Sequence, residues 1–209
     1  GGSDWDHLKS MHLTPDGGFI LGGDFWQSFG GNKDAEVFGY FDWWLLHLDS
    51  SGHKLWDKSF GGNRPEFLWD LALTGDGGFL MVGNSDSRPG EGGNKTSPFF
   101  GGEVFQGDGW VVKVDAEGNK QWDHSHGGWN SEQLRLAVPA AGGGFILTGY
   151  SNSDGGGNKT SPNFGDRDMW ALKIDGDGNT AWDQTFGGTG YEMVDQVIAT
   201  FDGGSILAG

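Results

Sequence analysis

"DGDGNTAWDQTFGG", residues 175–188, sets Asp175, Asp177 and Asn179 in the alternation that opens an EF-hand calcium loop. Such a loop needs glycine after its third ligand and glutamate at its twelfth position; here those places hold Thr180 and Phe186. The corresponding positions elsewhere in the chain are Asp49, Ser51, His53 and Asp115, Glu117, Asn119, so only the first Asp and a glycine (Gly52, Gly118, Gly178) recur. The stretch reads as an acidic hairpin turn written three times. Calcium held by Asp175 and Asp177 is the alternative.

Outward from this turn, the whole chain is repetitive, and a repeat must be recognised before any fold is assigned. Glycine pairs stand at Gly1-Gly2, Gly61-Gly62, Gly127-Gly128 and Gly187-Gly188. A turn follows each: Asp16-Gly17-Gly18, Asp76-Gly77-Gly78, Gly142-Gly143-Gly144 and Asp202-Gly203-Gly204. Then comes D-x-W, in "DWWLLHLD" (42–49), "DGWVVKVD" (108–115) and "DMWALKID" (168–175), and after it Trp56, Trp122 and Trp182. The units are 1–60, 61–126 and 127–186, with 187–209 as the opening of a fourth. Unit two is longer by a Gly/Asn/Ser-rich loop within residues 84–107, a loop by composition.

Each unit predicts four strands, and no stretch keeps a helical period. The first strand runs through "HLKSMHLT" and its counterparts, and the second through "GFILGG", "GFLMVG", "GFILTG" and "GSILAG". D-G-G between them predicts a type I′ hairpin turn, where glycine supplies positive φ. D-x-W opens the third strand, and "KLWDKSF", "KQWDHSH" and "TAWDQTF" form the fourth. The fold class is therefore all-β, in tandem four-stranded units. Arranged radially these give a β-propeller of three and a half blades; stacked axially they give a β-solenoid. A ring of that size does not close conventionally. The expectation is a segment of a longer array, or several chains meeting at exposed strand edges. The chain opens on "GGSDWDHLKS", without a start methionine or signal peptide, and is expected to be a mature or excised piece.

With 13 basic and 29 acidic side chains the net charge is −16, which repels phosphate backbones and anionic bilayers, so neither nucleic acid nor membrane insertion is expected. Cysteine is absent, which excludes disulfides and thiolate sites. Neither G-x-S-x-G, a P-loop, a dinucleotide fingerprint nor H-E-x-x-H occurs.

Residues 143–188 resemble the tandem repeat of large secreted proteins of Bacteroidetes-type bacteria, many of which carry a type IX secretion sorting domain. The shared pattern is W-D-x-x-F-G-G, then D-G-G-[FY]-I-L-x-G, K-T, and D-x-W-x-x-K-L-D-x-x-G-N. It extends over essentially the whole chain and is clearest in unit three. Unit one departs at His47, where Lys113 and Lys173 stand in the other units, and at "NKD" (32–34); unit two has "HSHGG" (124–128) for "FGG". The resemblance implies a propeller-like fold and an extracellular or cell-surface location. It implies no activity.

Residues that recur in every unit serve the unit first. Trp44, Trp110, Trp170 and Trp56, Trp122, Trp182 are expected in cores or between units. Asp6, Glu66, Glu132 and Glu192 are expected as turn caps or as ion pairs with Lys113 and Lys173. Non-repeated aromatics carry the functional reading: Trp5, Trp26, Trp43, Trp69 and Trp129 are candidates to stack on sugar rings, with Trp26 (placed in the long loop of unit one) and Trp129 in the lead. His124 and His126 form half of a metal site without a third ligand. "NKTSP" (94–98 and 158–162) contains N-x-T, a glycosylation acceptor or a turn. The expected function is a non-enzymatic scaffold or adhesin module, without a cofactor, whose partners are an extracellular polysaccharide and neighbouring repeats or identical chains. The rivals are a polysaccharide-cleaving enzyme using loop carboxylates such as Asp24, Glu36, Glu91, Glu103, Asp154 and Asp166, and the repeat of an extracellular filament.

Overall fold

The computed structural model describes residues 1–27, 30–102, 107–200 and 202–209. Unit one folds as β1 (Asp6–Leu13), β2 (Phe19–Trp26), β3 (Phe41–Leu48) and β4 (Lys54–Phe60). Unit two gives β5 (Glu66–Leu73), β6 (Phe79–Ser85), β7 (Asp108–Val114) and β8 (Lys120–His126). Unit three gives β9 (Glu132–Pro139), β10 (Phe145–Ser151), β11 (Asp168–Ile174) and β12 (Thr180–Phe186). A final pair, β13 (Gln196–Ala199) and β14 (Ser205–Ala208), opens the fourth. Each unit is an antiparallel meander with its strands in chain order, and no helix occurs among the described residues. First strands lie beside first strands, β1 by β5, β5 by β9 and β9 by β13, so the sheets are arranged as propeller-like blades.

The predicted hairpins form, but the D-G-G turn is not type I′. That geometry needs positive φ at both central residues, whereas Gly17 and Gly77 have φ of +84° and their preceding aspartates do not. The Gly17 amide bonds back to the Thr14 carbonyl and the Thr14 amide to the Gly18 carbonyl, a type I turn closed by a left-handed glycine. Asp16 is spent on the turn: its carboxylate accepts from the Thr14 hydroxyl at 2.5 Å and the Gly18 amide. The acidic turns behave alike. Asp175 Oδ1 accepts the amides of Asp177 and Asn179, and Asp49 and Asp115 do the same in their units.

Strand alternation gives every blade two apolar faces. The first core lies between units one and two, with Ile20, Trp43 and Leu45 on one side and Leu68, Leu71, Met81 and Trp110 on the other. The second repeats this between units two and three, with Leu80, Val82 and Val111 against Leu134, Leu147 and Trp170. The fourth-strand tryptophans Trp56 and Trp122 seal the outside, whereas Trp182 of unit three is exposed. A Cβ at Gly118 would come within 2.7 Å of the Trp56 ring, and one at Gly178 within 2.9 Å of Trp122, so each indole lies on the hairpin turn of the next unit.

A second recurring device holds the long loops. The Trp110 indole N–H donates to Asp123, which also accepts the amides of Thr96 and Ser97; Trp170 and Asp183, with Thr160 and Ser161, repeat the arrangement, as do Trp44 and Asp57. The amide of Asn94 reaches the other way, accepting from Gly61 and donating its Nδ2 hydrogen to Ser59 O, and Asn158 does so with Gly127 and Ser125. Between them the lysine is buried: Lys95 Nζ donates to Ser97 O, Pro98 O and Ser125 Oγ. N-K-T-S is thus a staple between blades, and its asparagine amide is engaged.

The recurring acids cap the glycine pairs. Glu66 accepts the Gly62 amide at 2.9 Å, Glu132 the Gly128 amide at 2.7 Å and Glu192 the Gly188 amide at 3.1 Å. The ion-pair alternative with Lys113 is not realised, because that ammonium sits on Asp76 and Gln121. Lys173 likewise turns to the Ala141 carbonyl.

Candidate functional site

The inner strands share an irregularity. In β1 the pairing with β2 skips Lys9, in β5 the pairing with β6 skips Trp69, and in β9 the pairing with β10 skips Arg135. A bulge leaves one residue without a ladder partner and re-aims its side chain. All three stand seven residues past the second glycine of their unit, where unit four carries Asp195. Opposite each bulge is a glycine, Gly23, Gly83 or Gly149, and a Cβ there would come within 1.8, 2.1 or 1.7 Å of the inner strand's carbonyl oxygen. Because first strands adjoin one another, the bulges bring these three unlike side chains together. Lys9 Nζ lies 4.7 Å and the Arg135 guanidinium 4.6 Å from the Trp69 ring centroid, one cation from each neighbouring blade.

Hydrogen bonds fix the group. Asn84 Oδ1 accepts from Trp69 Nε1 at 3.2 Å and from Gln133 Nε2 at 3.1 Å. Asp24, at the place of Asn84 in unit one, is buried, contacts His7 Nδ1 at 2.9 Å and lies 3.6 Å from Lys9. Burial raises its pKa, and His7 and Lys9 partly offset that. Arg135 forms no salt bridge among the described residues; its remaining contact is Met193 Sδ at 3.9 Å.

An aromatic row leads away from this group. Trp26 is the last residue of β2, not part of the loop, and is 41% exposed. It meets Trp5 edge-on at 6.0 Å and Phe41 at 5.2 Å, and Phe41 meets Phe67 of unit two at 5.1 Å. Phe67 and Trp69 both lie on β5.

The other candidates fall elsewhere. Trp43 is fully buried, 4.4 Å from Trp110 ring to ring, so it is a core residue and presents no face to a ligand. Trp129 is 69% exposed but lies in unit three over Gly156, whose Cβ would come within 2.5 Å of its ring. His124 and His126 have ring centroids 6.3 Å apart; His126 is buried, which pushes its pKa down to about 3, and its Nδ1 contacts Thr180 Oγ1. No group of three metal-ligating side chains occurs among the described residues. Asp177 lines an open groove of about 1050 Å³ between units two and three, beside Trp122 and the Asp76–Lys113 pair. Of the loop acids, Glu91 pairs with Arg64 and Asp154 accepts the Asn163 amide, while Glu103 lies outside the described residues.

Of the bulged residues only Trp69 is singled out by the sequence; Lys9 and Arg135 escape it because the position is not filled by one residue type from unit to unit. The available signal is Gly23, Gly83 and Gly149, the glycines that recur as the fifth residue of each second strand.

No family model matches the chain. The chain is similar to the regulatory protein FlaEY of Caulobacter vibrioides, with 26% identity over 184 residues, covering 79% of this chain. It spans 17% of that protein's length.

Proposed function

We propose that the protein is a non-enzymatic repeat module of the cell exterior, a scaffold whose first two units bind a polysaccharide along the row Trp5, Trp26, Phe41 and Phe67. The observation that carries this reading is the row itself: part-exposed rings at 5–6 Å spacing cross from one blade to the next, beside the amides and charges of Asn84, Gln133, His7 and Lys9. Sugar rings stack their C–H faces on such platforms while their hydroxyls bond to a polar border. The scaffold part rests on the repeated staples and on one uncovered face. Leu8 and Met11 of unit one are 61% and 55% exposed, while their counterparts Leu68 and Leu71 are buried under the preceding blade. This favours docking of a further repeat, or of an identical chain, on unit one. Similarity to a stretch of a much longer regulatory protein is in keeping with a module carried inside larger chains.

Trp26→Ala is expected to weaken retention on an insoluble polysaccharide by about tenfold or more, the loss of one stacked ring, with the fold intact. Depletion of protein from solution, with circular dichroism as the control for folding, measures it. Undiminished retention removes the aromatic row from the site.

A further inference from the structure

We infer that the bulge-borne trio Lys9, Trp69 and Arg135 is a subsite for the carboxylate of an acidic sugar, a uronate unit whose neighbouring rings lie on the aromatic row. The inference rests on the glycan reading and names its ligand class. Three independent placements converge on it. The bulge recurs at one register position in three blades, yet its occupants differ, which separates them from residues that serve the repeat. Two of those occupants are cations, in a chain with 29 acids and 13 bases. Arg135 is left without a carboxylate partner among the described residues and lies over an indole. A guanidinium offers a planar fork of donors that fits a carboxylate, and the indole beneath supplies a flat apolar floor.

The facing groups are mixed in charge. Asp24 takes part of the Lys9 charge, and Asp195 stands at the bulge position of unit four. Ser10 donates to Asp70 at 2.9 Å, and Asp70 also accepts the Ala137 amide, so that acid is committed to the inner strands. The net charge of −16 repels a long polyanion. The subsite therefore suits a short uronate segment, and moderate salt that screens the wider field does not abolish contacts made at hydrogen-bond distance.

The test titrates the full chain with trigalacturonate and with its methyl ester, which keeps the rings and removes the charge, by calorimetry in 150 mM salt. The acid form is expected to bind about tenfold more tightly than the ester. In the Lys9→Gln, Arg135→Gln double variant that preference falls to about one; in Trp26→Ala both forms weaken together and the preference is kept. Equal binding of acid and ester by the parent chain overturns the inference and leaves the glycan reading standing. Binding of neither form also overturns the inference, and retention on the insoluble polysaccharides decides the glycan reading separately. Competition by acetate as effective as that by monomeric galacturonate shows a site for carboxylates at large, which overturns the assignment to a sugar acid.

Discussion

Asp123→Ala is expected to destabilise the protein by about 3–5 kcal/mol, the range for removing one member of a buried charged network. One carboxylate there holds three elements. It accepts the Trp110 indole N–H at 3.1 Å, the amides of Thr96 and Ser97 at 3.0 and 2.9 Å, the Thr96 hydroxyl, and the Lys120 ammonium at 2.7 Å. Burial alone would raise its pKa, and these donors together hold it far below the ordinary carboxylate range. Alanine leaves the indole and two amides without their carboxylate partner in a buried site, and each orphan costs about 1–3 kcal/mol. Urea denaturation followed by tryptophan fluorescence measures the loss. Asp115→Ala serves as the comparison, because that turn cap is exposed and its loss is expected to cost about 1 kcal/mol or less. Equal, small effects of the two variants would show that the loop is not held by the W-D carboxylate.

Acidity is expected to stabilise the protein between pH 8 and pH 5. At each junction a D-x-W aspartate and a capping glutamate face each other around the first glycine of the pair; a Cβ at Gly61 would lie 2.3 Å from Asp42 Oδ1 and 2.5 Å from Glu66 Oε2. Burial raises Glu66 to about 8, with hydrogen bonds from Ser87, Gly62 and Ser85 opposing it. Burial likewise raises Asp108 to about 7 and Asp42 to about 6, and it raises Glu132. In this window the folded chain binds protons that the unfolded chain, with ordinary carboxylates, has released. Folding free energy therefore weakens as pH rises from 5 to 8. Below about pH 4 the direction reverses. Asp183 and Asp76 are held at about 2, the first by hydrogen bonds from Ser161, Thr160 and Trp170 that outweigh its burial, the second by Lys113 and Thr74, and their stabilisation is lost as pH falls from the ordinary value through the folded one. Lys95, lowered to about 8 by burial, acts above that pH, where the folded chain binds fewer protons and stability gains with pH. The buried His126 opposes them in part, because on acidification the unfolded imidazole takes up a proton near its ordinary value that the folded one does not, but the raised acids outweigh it, and Tm is expected to be higher at pH 5 than at pH 8 by about 10 °C. Glu66→Gln mimics the protonated form and should flatten the upper part of that slope. A melting temperature that is level from pH 5 to pH 8 would mean that the junction carboxylates keep ordinary values.

The repeat, its strands and the packing role of the recurring tryptophans are legible in the sequence, because each unit restates the same alternation and the same turn glycines. D-x-W and W-D were also visible as patterns, but their hydrogen bond was not: Trp110 and Asp123 sit on paired strands, a relation that only the register supplies. Trp43 shows where the logic of non-repetition fails. Gly109 and Met169 hold its place in the other units, so it looked functional. In fact it fills space over Gly83, whose Cβ would come within 2.6 Å of its ring, and at Gly109 that room is taken by Leu134. Neighbouring blades had exchanged volume, which a single unit read by itself does not reveal. The site at the inner strands was hidden for a related reason. Bulges interrupt the period of two without leaving a sequence signature of their own, and the convergence of Lys9, Trp69 and Arg135 belongs to three blades and not to any one of them.

The most direct test mixes the intact chain with a panel of insoluble polysaccharides and follows, in the same tubes, protein lost from solution and reducing ends released. Depletion without new reducing ends, strongest on a uronate-bearing polymer, is the result expected of a binding module. Release of reducing ends would contradict it and make the protein an enzyme; absence of depletion from every polymer in the panel would contradict the glycan-binding role itself.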